Sequence, residues 1–142
     1  MEPEIIEAVL FPRIFAAVGA VTQLLMLATT YAVVEGRGWP STAITLIMVA
    51  IALVESFMVL VQLPRLPRPA ASRETIPAGV RTHLLMRTAI AIAPGLFGIV
   101  LAFQADTITP AIVLCAVSLV LLVLVFPTER TVSPLVARLT PQ

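Results

Sequence analysis

The sequence predicts an all-α membrane protein with four transmembrane helices arranged as two antiparallel hairpins, both termini being cytoplasmic. Three observations lead there. Of 142 residues, 59% are hydrophobic and 12% charged, with a mean hydropathy of +1.04; soluble domains carry an apolar share of about 45 to 50%. Four apolar runs, at about 14–34, 43–63, 84–105 and 110–126, approach or exceed the roughly 17 to 25 residues that cross a hydrocarbon core of about 30 Å. All nine basic residues are arginine: Arg13, Arg65, Arg68, Arg73, Arg81, Arg87, Arg130 and Arg138 fall on one side of these runs, against Arg37 alone on the other. Cytoplasmic loops carry that excess. The spans use nearly the whole chain, which reads as one membrane domain, 1–142, of a bacterial cytoplasmic (inner) membrane, with a lysine-free composition suited to a GC-rich genome.

From the start, Glu2, Glu4 and Glu7 are acidic where a secretory signal is basic, so the N-terminus is expected to be retained. Pro3 suits a first helical position, and Pro12 marks either the end of an interfacial helix or a kink in an extension of the first span. Along that span Ala16, Gly19, Gln23, Met26 and Thr30 recur at steps of three and four, a stripe expected to face protein. The segment from Glu35 to Ser41 has two glycines and a proline, and its shortness predicts that the spans it joins are antiparallel neighbours. Tyr31 and Trp39 read as an aromatic anchor at headgroup level. The linker 64–83 is dense in proline and arginine and is expected to be extended, with Arg65, Arg68, Arg73 and Arg81 available to anionic lipid or a partner; His83, flanked by arginines, reads as interfacial.

In the third span Ala91, Gly95, Gly98, Ala102 and Ala105 form another small-residue row, and Pro94 frees a backbone carbonyl that a neighbour or water must meet. Thr109 is a suitable N-cap for the fourth span, whose small face is Ala111, Cys115 and Ser118. These rows exceed what one four-helix core needs. They predict self-association or a docked membrane subunit through the Gly95, Gly98 and Ala102 face, with Gly19, Ala91 and Ser118 as further helix-packing residues. Beyond Pro127, Ser133 and Pro134 are expected to open a short amphipathic turn ending near Thr140.

The residue that stands out is Glu55, a carboxylate near the middle of the second span. A charged group there costs roughly 2.5 to 3.5 kcal/mol on insertion scales and marks a functional site by default. No arginine lies in a span to pair with it, so it is expected to be held neutral and to donate a hydrogen bond to Gln23, which counting inward from the first turn brings level with it. Met48, Glu55 and Gln62 are seven apart and share a stripe, so Glu55, Gln23 and Gln62 form the candidate proton or cation site. No phosphate-binding loop, histidine cluster, nucleophile set or second membrane carboxylate is present, and Cys115 is the single cysteine. No enzyme activity, cofactor, metal or nucleic-acid partner is expected. The function expected is that of a non-catalytic oligomeric or accessory subunit of a membrane complex; the alternative is a small proton-coupled or cation transporter using Glu55.

The halves also look alike. Each begins at an arginine (Arg13, Arg87) and ends in a proline-marked stop, at Leu63-Pro64-Arg65 and at Phe126-Pro127-Thr128-Glu129-Arg130; aligning the prolines sets Ser118 opposite Glu55. A duplicated hairpin with a midplane carboxylate on its outer helix resembles the proteolipid (c-ring) subunits of rotary ATPases. The stretch from Arg87 through Pro94, Gly95 and Gly98 to Leu101 is similar to the first helix of c-like small bacterial membrane proteins. The resemblance implies hairpin packing, membership of a membrane complex and Glu55 as the ion-binding carboxyl. The G-x-G-x-G run of that family's inner helix is not in this sequence.

Overall fold

A computed structural model describes residues 3–65 and 75–140. The described residues form five α-helices: α1 Pro3–Val33, α2 Thr42–Phe57, α3 Ile76–Ala105, α4 Thr109–Val125 and α5 Glu129–Leu139. Helix α2 runs on through a π-helical stretch, Met58–Gln62, and a 3-10 turn, Leu63–Arg65. Three apolar stretches, Pro3–Val33, Thr42–Arg65 and Ile76–Ala105, are long enough to cross a membrane; α4 with α5 makes a fourth if the pair, bent by 63°, is one broken span.

At about 1.5 Å per residue, α1 and α3 are roughly 46 and 45 Å long, more than a hydrocarbon core of about 30 Å requires. Both exceed the expected spans at their N-termini. Helix α1 passes through Pro12 without a break. Helix α3 begins at Ile76, whereas the linker was expected to stay extended to residue 83; Pro77 sits in its first turn, where a missing N–H costs nothing. Arg81 and His83 therefore lie on a helix, while Arg68 and Arg73 are outside the described residues. The extra turns pack together: Ile5 and Val9 of α1, Ile76, Val80 and Leu84 of α3, and Val132, Leu135 and Leu139 of α5 form one apolar cluster. Helix α5 starts earlier than the turn expected at Ser133, because Thr128 and Thr131 close a reciprocal capping box.

The centre is the α3–α4 pair. Gly98 lets the two backbones approach: a β-carbon on it would stand 2.7 Å from the Pro110 carbonyl oxygen and 2.8 Å from Leu114 Cβ. Ala91, Gly95, Gly98 and Ala102 are all buried inside the chain, as are Ala111, Cys115 and Ser118. The small-residue face expected to serve association is thus packed against the chain's own helices. On α1, Ala16, Gln23 and Thr30 are buried and Gly19 rests against the Ile92 side chain, but Met26 faces outward.

Helices α1 and α2 flank this pair and have almost no contact with each other, so they are not the hairpin neighbours expected. The joining segment explains the difference. Residues 34–41 are non-helical, and extended chain covers about 3.4 Å per residue, enough to reach over roughly 25 Å, whereas adjacent helices lie about 8 to 10 Å apart. The segment crosses over the α3–α4 turn. Ile108 N–H donates to the Gly36 carbonyl at 3.0 Å, the hydroxyls of Thr107 and Thr109 both donate to the Gly38 carbonyl, and Gly36 has no room for a β-carbon against the Asp106 carbonyl. Thr109 is therefore spent on the neighbouring loop instead of capping α4. Arg37 shares this end with Tyr31, its guanidinium 4.2 Å above the ring.

Candidate functional site

The polar residues within the apolar stretches separate into two places. In the interior, Gln23 is 1% exposed and its Nε2 uses both protons, donating to the Ile92 carbonyl and to Ser118 Oγ, each at 2.7 Å. Ser118 Oγ in turn donates to the Ala91 carbonyl at 2.6 Å. Both carbonyl acceptors lie in the turn of α3 that precedes Pro94. A neighbour was expected on the carbonyl that Pro94 frees, that of Ile90; the side-chain donors observed reach Ala91 and Ile92 instead. Gly95 makes the approach possible, since a β-carbon on it would fall 2.6 Å from Gln23 Nε2. The arrangement binds α1 to α3 and α4. It also fixes which way the amide points, because only the nitrogen can serve a carbonyl and a hydroxyl already donating elsewhere. Gln23 Oε1 is left without a hydrogen bond.

Glu55 is elsewhere. It sits close to the middle of the apolar stretch Thr42–Arg65, half-buried, on the helix with the smallest buried share of the three. The hydrogen bond expected from the Glu55 carboxyl to Gln23 does not form: Gln23 Oε1 accepts nothing, and α1 and α2 have almost no contact through which Glu55 could reach it. Among the described residues no hydrogen bond or ion pair reaches the Glu55 carboxyl. Leu53, Val54 and Phe57 around it are exposed apolar side chains. Three residues on, the backbone enters the π stretch, a rare distortion that re-phases the surface of the helix. Met48 before the distortion, Val59 within it and Leu63 just after it are buried, while Gln62 turns outward; the expected Met48–Glu55–Gln62 stripe is broken there. The candidate trio is not one site, and sequence spacing carried no sign of the π stretch.

The described cavities lie away from Glu55. The largest, 510 Å³, is between α1, α3 and α5 and is lined by Ile5, Ile76, Val132 and Val136 with Glu4 and Glu129 among its polar groups. Fold and site together define an all-helical protein whose apolar helices are those of a membrane-embedded bundle, with an interior polar lock and one unpaired carboxyl on an outer helix. Compared with known proteins, the chain matches no family model, no curated protein and no solved structure.

Proposed function

We propose that this protein is a non-catalytic subunit of a membrane assembly, in which the outer face of α2 around Glu55 meets a helix of another subunit. The observation that carries the proposal is Glu55 itself: a carboxyl near mid-span, half-buried and without a partner among the described residues. Lipid tails supply no hydrogen bond, so a group of this kind is retained where another helix supplies one. The chemistry asked of that helix is a hydrogen-bonding side chain at the depth of Glu55, flanked by apolar residues to cover Leu53, Val54 and Phe57.

The interior supports a scaffold role. Gln23, Ser118, Gly95 and Gly98 are committed to holding three helices together. The resemblance to proteolipid subunits adds to this proposal only the idea of a carboxyl presented on an outer helix; a hairpin of α1 with α2 is no part of it.

The test compares two substitutions in full-length protein, reading co-purification in mild detergent and proton flux in proteoliposomes. Glu55→Gln keeps a hydrogen-bonding head and is expected to retain assembly. Glu55→Leu removes it, at a cost of about 1 to 2 kcal/mol, and is expected to weaken assembly by roughly 5- to 30-fold. Unchanged assembly in Glu55→Leu contradicts the proposal. Wild-type proton flux abolished by Glu55→Gln, with the fold intact, would assign Glu55 to transport instead.

A further inference from the structure

The structure gathers a second group of polar side chains at the end of the bundle where α2 stops and α5 begins. A cavity of 80 Å³ is lined by Pro64 after α2, His83 and Arg87 of α3, and Thr131, Pro134, Leu135 and Arg138 of α5. Among the described residues no carboxylate lines it. His83 is 8% exposed and, among the described residues, hydrogen-bonds to nothing; both Arg87 and Arg138 act on it electrostatically. Arg87 Nε is fully shielded from solvent and has no partner, and Arg138 spends one amino group on the Pro64 carbonyl. From Thr88 to Ala105 no residue is charged, so Arg87 stands where α3 enters its apolar stretch.

We infer that this cavity is an anion site that receives a phosphate group, independent of Glu55 and of any assembly role. A shielded guanidinium Nε–H without an acceptor is unfavourable, and an anion between Arg87 and Arg138 offers it one. The planar guanidinium fork matches two oxygens of a phosphate, and the neighbouring His83 ring can donate to a third. The volume, that of two to three waters at about 30 Å³ each, has room for one phosphate group. Anionic phospholipids present such a phosphate at the edge of the hydrocarbon. The same chemistry in solution is inorganic phosphate.

His83 is the single histidine of the chain, so its ring resonances report on the cavity without ambiguity. Full-length protein in a phosphate-free neutral detergent is titrated with phosphatidylglycerol, with inorganic phosphate and with diacylglycerol, which has acyl chains but no phosphate. A saturable shift of the His83 ring signals with phosphatidylglycerol alone assigns the site to lipid; a shift with inorganic phosphate as well assigns it to the phosphate group from either source. Both support the site. Arg87→Gln and Arg138→Gln are each expected to weaken the response by roughly 10-fold. Arg130→Gln, exposed on α5 and outside the cavity, is expected to leave it unchanged. Arg138 is exposed, so its variant tests the site even if Arg87→Gln does not fold. No saturable shift with either phosphate probe, an equal shift with diacylglycerol, or a response unaltered in Arg138→Gln overturns the inference.

Discussion

Gln23 brings two amide protons into the middle of the bundle, and both reach acceptors on other helices. Inter-helix hydrogen bonds of this kind in membrane proteins contribute about 0.6 kcal/mol on average and up to about 1.7. Ser118 couples to the same bond, so Gln23→Leu and Ser118→Ala are expected to be non-additive, with an interaction energy of about 0.5 to 1.5 kcal/mol in a double-mutant cycle read by unfolding in detergent. Strict additivity would show that the bond contributes nothing. Gly95→Ala should reproduce much of the Gln23→Leu loss, because the added methyl occupies the place of the amide. Gln23 was recognisable in the sequence as a buried polar residue on a small-residue stripe. Its partners were not, since depth along a span says nothing about which helix stands beside it.

At the scale of elements, glycines that look equivalent in the sequence have different surroundings. Gly98 faces the backbone of α4 and Gly19 only the tip of the Ile92 side chain. Gly98→Leu is therefore expected to cost at least about 1 to 3 kcal/mol through overpacking, and Gly19→Ala less than about 1 kcal/mol, measured by thermal unfolding of the purified protein. Equal losses would contradict the packing described. The docked turns permit a second check. Gly38 has open space for a side chain and its carbonyl accepts from the Thr109 hydroxyl, so a short bifunctional cross-linker should join Gly38→Cys to Thr109→Cys in a Cys115→Ala background. Two separate hairpins would leave that pair unlinked. The helix ends at Val33 and Ala105 were legible from glycine, aspartate and proline chemistry. The early start of α3 was obscured because proline was read as a breaker, though in a first turn, as Pro77 is, it favours a helix; that of α5 was missed because Pro134 was read as a first helical residue, whereas it lies inside the helix.

For the whole molecule, the side chains that would be a core elsewhere are on the outside: Leu25, Leu46, Leu53 and Val123 are each more than three-fifths exposed. That inversion is what composition alone conveyed, and it is the part of the fold that needed no knowledge of neighbours. The order of helices around α3 and α4 did need it, which is why the carboxyl and the interior glutamine, paired on paper, are apart in the structure. The central claim is that the Glu55 face of α2 is covered by another protein helix. A photo-activated cross-linking residue at Val54, beside Glu55, compared in native membranes with the same residue at Val123 on α4, tests it most directly. Discrete protein adducts are expected from position 54, resolved into self or partner by mixing two differently tagged copies. Lipid adducts alone from position 54 would contradict it.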